Sequence, residues 1–192
     1  MRKTTLGLIA IATTAMAVTG SAYAMANFHD GAHGATPSNP NEKLVQLINN
    51  DGQNIGTVTL KQGRTGLLLE VDATGLTPGW HGIHIHETGQ CEGNFTGAGA
   101  HINHPEAKVP HGLLNEAGPD DGDMPNIFAG ADGVAKAEIF TNSASLTQNG
   151  AGQWLLDDNG AAIVIHANRD DHTSQPIGGA GARVACGEIH AH

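Results

Sequence analysis

Short apolar runs, most of them alternating with polar residues and bounded by Gly, Pro or Asp-Gly, constrain this chain more than any other feature. No run carries helical spacing. Lys43–Ile48, Ile55–Leu60, Gly66–Ala73, His81–Glu87, Val134–Phe140, Ala161–His166 and Arg183–Ile189 read as strands. Asn50-Asp51-Gly52 and Asp132-Gly133 are hairpin-type turns, and Asp157-Asp158-Asn159-Gly160 turns the chain into the strand that ends at His166. Residues 88–132 carry no strand or helix pattern, and 167–182 form a second Gly-rich loop. The 27 glycines and 4% aromatic content agree with short strands and long loops. The fold class is all-β, an antiparallel sandwich or barrel.

His81-Gly82-Ile83-His84-Ile85-His86-Glu87 is the strand that carries chemistry. Alternate residues share a face, so Ile83 and Ile85 point to a core while His84 and His86 stand together on the other side. Two imidazoles on a stiff strand can chelate zinc, copper, iron or nickel, or can simply be a polar face.

The chain starts as an export signal. Arg2 and Lys3 precede an apolar run, Leu6 to Val18, and Ala22-Tyr23-Ala24 is a small-residue cleavage site. Expected segments are therefore a signal peptide, 1–24; a flexible leader, 25–41, with His29 and His33; and one domain, 42–192. Loss of Arg2 and Lys3 takes the net charge from −10 to −12. Such an acidic surface argues against nucleic-acid or anionic-membrane partners, and no later segment reads as a membrane span. Cys91 and Cys186 are the only cysteines, and pairing is the default after export.

Three more histidines have suggestive surroundings. His166 ends the apolar strand Ile163-Val164-Ile165, where a polar group needs a partner. His101 lies in Gly97-Ala98-Gly99-Ala100-His101-Ile102-Asn103, whose small residues let backbone approach a site closely. With His84 and His86 these make four imidazoles, which suit tetragonal copper(II) or tetrahedral zinc. His101, His111 and the acids of Asp120-Asp121-Gly122-Asp123 form a second group of a kind zinc accepts. If His101 uses both ring nitrogens, it serves both groups. His104, His172, His190 and His192 read as exposed surface.

Taken together, these segments resemble the copper,zinc superoxide dismutases of the bacterial, exported (periplasmic) kind. The resemblance runs from about Lys43 to Ile189. It is carried by 81–87, Gly99-Ala100-His101-Ile102-Asn103, Gly122-Asp123-Met124-Pro125-Asn126, Ile165-His166 and Gly181-Ala182-Arg183-Val184-Ala185-Cys186-Gly187. It implies a Greek-key β-barrel, or flattened immunoglobulin-like sandwich, with two long functional loops. It also implies copper on His84, His86, His101 and His166, and zinc on His101, His111 and Asp123. A Cys91–Cys186 bond would pin the long loop to the last strand, and Arg183 would guide superoxide anion to the copper. Asp170 would link His84 to His111, and His81 would be structural. One position departs from the family pattern: where a third zinc histidine is usual, this chain has Asp120. Asp120 either ligates zinc or points to water, and ligation is the reading adopted.

The implied reaction needs a centre that accepts an electron from one anion and returns it to the next. Copper can do this and zinc cannot. A shared His101 would let proton delivery accompany electron transfer. The competing reading is an exported copper-binding or buffering protein on the same scaffold, without turnover. A zinc hydrolase would need an open zinc position and a general base, which four histidines around one metal do not favour. Members of the family occur as monomers and as dimers, so a homodimer stays open.

Overall fold

Strand-forming sequence from Glu42 onward organises one long antiparallel sheet. A computed structural model describes residues 39–191. The signal peptide, the leader as far as Ser38 (with His29 and His33) and His192 lie outside the described residues. The strands are β1 (Glu42–Asn49), β2 (Asn54–Gln62), β3 (Leu67–Ala73), β4 (Gly79–His81), β5 (Ile83–His86), β6 (Ile127–Ala129), β7 (Ala135–Thr141), β8 (Ala144–Ser145), β9 (Gln153–Trp154), β10 (Ala161–His166) and β11 (Arg183–Ile189). The main sheet runs β5-β10-β11-β1-β2-β3-β7, all antiparallel, and β4 pairs with β6 in a separate ribbon. Neighbours distant in sequence, β3 beside β7 and β5 beside β10, give the Greek-key crossing. Chain continuity from β4 to β5, and the hairpin from β6 to β7 with Gly130 N–H on Val134 O at 2.9 Å, carry the sheet round toward closure.

Alternation decides what fills the interior. Val45, Leu47, Val58, Leu60, Leu69, Ile83, Ile85, Ile163, Ile165 and Ile189 are all buried in one cluster. Each such side chain contributes about 1.5–3 kcal/mol when fully withdrawn from water.

Two sequence expectations need correction. The histidine strand is not continuous: it breaks at Gly82, so that β4 joins β6 while β5 joins β10. A Cβ at Gly82 would stand 3.0 Å from Ala180 Cβ and 3.3 Å from Asp170 Cβ. Only glycine lets the second long loop pack this closely. The stretch 88–132 is not free of structure, since it holds β6 and a 3-10 turn, Thr96–Ala98. Three-residue strands are too short to declare themselves by periodicity. The face of β5 that carries His84 and His86 is as buried as the core face. The two long loops cover it.

Candidate metal centre

β5 presents His84 and His86 side by side, β10 ends in His166, and the loop after β5 returns His101 to the same place through a bridge to His86. One ring nitrogen from each of His84, His86, His101 and His166 lies within 4.8 Å of the others, and all four residues are buried.

The hydrogen-bond partners settle which nitrogens these are. His86 Nδ1–H donates to Gly99 O at 3.0 Å, and His166 Nδ1–H to Gly181 O at 3.1 Å. His84 Nε2–H donates to Asp170 Oδ2 at 2.8 Å, and His101 Nδ1–H to Asp120 Oδ2 at 3.0 Å. A carbonyl or carboxylate oxygen can only accept, so the other nitrogen of each neutral ring keeps its lone pair. Those are His84 Nδ1, His86 Nε2, His101 Nε2 and His166 Nε2, each buried and without a hydrogen-bond partner. Buried polar atoms are normally satisfied. Four unsatisfied lone pairs aimed at one point fit a metal ion.

Burial disfavours protons there. It lowers His84 despite the Asp170 carboxylate. It lowers His166 to about 4, with repulsion from His84 adding to the effect. Burial, His101 and Arg183 together hold His86 well below the ordinary imidazole range. At neutral pH these three rings are uncharged and ready to ligate.

The second set has the opposite electrostatics. His101, His111, Asp120 and Asp123 are buried and also place ligand atoms within 4.8 Å of one another. His111 Nδ1 contacts Asp123 Oδ1, while His111 Nε2 lies 3.2 Å from Asp170 Oδ1. With a carboxylate at each nitrogen, the ring is held as an imidazolium: burial opposes the charge, but Asp123 and Asp170 raise His111 to about 10. His101 is raised as well, burial being outweighed by Asp120 and Asp123. Asp123 and Asp170 fall well below the carboxylate range, because their histidine partners overcome burial. Asp120 does not point to water. Its carboxylate is buried, with Oδ2 on His101 and Oδ1 accepting from Gly122 N–H at 3.1 Å.

Asp170 joins the two sets by contacting both His84 and His111. The ring of His81 spans the carbonyls of His166 and Thr77, each at 2.7 Å, and contributes no atom to either set. Cys91 and Cys186 form a disulfide, Cα–Cα 5.7 Å. Arg183 donates through Nη1 to Phe95 O and through Nη2 to Gly99 O at 2.6 Å, and it lines a cavity of ≈ 410 Å³ with His86, His101, His111, Lys108 and Gln175.

A family model described as copper/zinc superoxide dismutase (SODC) matches residues 54–189, which include every one of these side chains. The chain belongs to the copper/zinc superoxide dismutase family. It is 54% identical over 140 residues to a Cu-Zn superoxide dismutase of Caulobacter vibrioides, covering 72% of this chain and 80% of that one. It is 34% identical over 167 residues to the enzyme of Photobacterium leiognathi, covering 82% of this chain and 90% of that one. Among solved structures, a superoxide dismutase-like protein from Bacillus subtilis superposes with TM-score 0.71 at 35% identity, over 76% of this chain and 97% of that one. The Cu/Zn superoxide dismutase of Brucella abortus gives 0.62 at 28% identity, over 77% and 99%.

Several parts of this dismutase site escape a reading of side chains. Gly99 O and Gly181 O fix two tautomers, yet backbone atoms leave no residue signature. Gln175 was also missed. Its Oε1 accepts from His111 N–H at 3.1 Å and its Nε2–H donates to His111 O at 2.7 Å, in the manner of a neighbouring strand. Asn126 treats Asp170 in the same way. His104 and His190 are exposed as expected, but His172 is not: its ring is 15% exposed and packed beside Asp170.

Proposed function

We propose that this protein dismutates superoxide, two anions and two protons giving oxygen and hydrogen peroxide. The observation that carries the reading is the set of four converging, unpartnered imidazole nitrogens beside an opening that holds Arg183. His84, His86, His101 and His166 would hold copper; His101, His111, Asp120 and Asp123 would hold zinc. When bound, copper supplies the one-electron exchange that dismutation requires, and zinc supplies charge and positioning.

The chain's own residues account for the rest. Arg183 offers a fixed cation that draws the anion inward, its fork held by two carbonyls. His101 belongs to both sets, and its carboxylate neighbours raise its proton affinity. Its Nε2, buried among the four converging nitrogens, is the atom suited to carry a proton to the reduced anion. Asp170 holds His84 in the tautomer that leaves Nδ1 free. The mature chain would begin at Met25, with residues 42–192 as its dismutase domain. The export signal read at 1–24, the disulfide and the bacterial relatives support a periplasmic location.

The decisive assay follows superoxide loss by the mature chain reconstituted with copper and zinc, with copper alone, and without metal. Copper-dependent loss that rises further with zinc is expected. No loss despite bound copper would leave the copper-buffering alternative standing.

Zinc uptake should also be coupled to protons. At pH 7 His111 is protonated, because its carboxylate neighbours raise it to about 10, and Asp120 and Asp123 raise His101 in the same direction. A metal bound at His111 must expel that proton, so zinc affinity climbs with pH until His111 deprotonates, near pH 10. Titration calorimetry at pH 7, in buffers of different ionisation enthalpy, should record about one proton released per zinc, from His111. Release near zero would refute this assignment of charge.

A further inference from the structure

His172 is absent from both ligand sets, yet its ring is tied to the residue that links them. Asn126 sets its state. The Asn126 side-chain oxygen accepts from Asp170 N–H at 2.8 Å, and its Nδ2–H donates to Asp170 O at 2.9 Å. A backbone N–H can only donate and a backbone carbonyl can only accept, so this amide has one permitted orientation. The same Nδ2 lies 2.9 Å from His172 Nε2, which must therefore be an acceptor. A neutral His172 then carries its proton on Nδ1.

That Nδ1 is buried and makes no hydrogen bond within normal limits. Its nearest carboxylate atom is Asp170 Oδ2, at 3.5 Å. This is long for a hydrogen bond, but it sets an N–H dipole against a buried anion. The His172 backbone N–H meanwhile donates to Asp170 Oδ1 at 2.6 Å. One residue thus faces both oxygens of the carboxylate, which also receives His84 at 2.8 Å and His111 at 3.2 Å. The backbone of His172 has φ 62°, a left-handed conformation that Asn, Asp and His tolerate better than most residues.

We infer that His172, fixed by Asn126 as its Nδ1–H tautomer, is a positioning residue that orients the Asp170 carboxylate between His84 and His111. This rests on the proposal that His111 holds zinc and that Asp170 positions it. The ring does not touch substrate. It limits rotation of a carboxylate whose two oxygens must each meet a different histidine.

The test uses the full mature chain loaded with zinc and reduced copper, a diamagnetic state. Nitrogen-15 resonances of His172 should show Nδ1 protonated and Nε2 bare. Asn126→Asp, which leaves no donor opposite Nε2, should move the proton to Nε2. His172→Asn keeps a residue suited to the left-handed backbone and keeps the backbone N–H, but removes the ring. It should weaken zinc about tenfold in chelator competition, the lower end of the usual cost of losing a residue that supports a metal ligand. Asp170→Asn serves as the reference and should weaken zinc more. If Asp170→Asn leaves zinc affinity unchanged, the underlying reading of Asp170 fails. If Asp170→Asn weakens zinc while His172→Asn does not, the inference about His172 is wrong. An Nε2–H tautomer in the parent protein overturns it as well.

Discussion

Arg183→Glu is expected to lower kcat/KM for superoxide by about 10–10³-fold while leaving copper content unchanged. The substrate is an anion and the protein carries a net charge of −10, so the average field opposes approach. Arg183 supplies a cation in the wall of the opening lined by His86 and His101, and Lys108 lies in the same wall. Fields focused into clefts raise association rates over the range just given, a generalisation that already draws on superoxide dismutases. Glutamate would turn attraction into repulsion in the wall of the opening. Copper should stay, because Arg183 donates to carbonyls and occupies none of the four lone-pair positions. Stopped-flow rates measured against ionic strength give the check. The parent should slow as salt screens the cation, and the variant should slow less or speed up. Arg183→Lys separates charge from geometry: it keeps the cation and loses the fork that spans Phe95 O and Gly99 O. Full activity of Arg183→Glu at low salt would remove Arg183 from the mechanism.

How far the sequence discloses this site depends on the kind of atom involved. Ligands at alternate strand positions, such as His84 and His86, are legible because a period of two and a metal-binding side chain coincide. His166 is legible for a related reason, as a polar end to an apolar strand. His101 and His111 sit in an aperiodic loop, where small residues and nearby acids marked them as candidates and the resemblance to a family assigned them to metals. β6 was lost because three residues cannot display a period, and the break at Gly82 was lost because it comes from the approach of the Asp170 loop. That approach also explains His172. Judged alone it is a surface histidine, and it becomes half-buried only when the loop from Ala167 to Ala182 folds over β5. The partners that select tautomers, Gly99 O and Gly181 O, belong to the backbone and have no letter in the sequence.

The same loop geometry makes the disulfide more than a thermodynamic clamp. Its two cysteines stand 95 residues apart. In the chain-entropy account, opening so large a loop costs about 3–5 kcal/mol. Denaturant midpoints of a Cys91→Ala, Cys186→Ala double variant should report a loss of that size. Arg183 lies three residues before Cys186 on β11, and its acceptors Phe95 and Gly99 lie just beyond Cys91. The covalent bond and the guanidinium therefore fasten the same two segments, 91–99 and 183–186. Phe95, Ala98, Ala162 and Val164 pack around the sulfurs and stiffen that junction. Without the bond, the carbonyls that aim Arg183 and hold His86 Nδ1–H are free to drift. Activity should then fall even under conditions where the variant is folded. Groups that act through one junction are not additive. Adding Arg183→Glu to the cysteine-free protein should therefore reduce kcat/KM by a smaller factor than it does in the parent. Fully additive losses would show that the disulfide stabilises the fold without positioning the arginine.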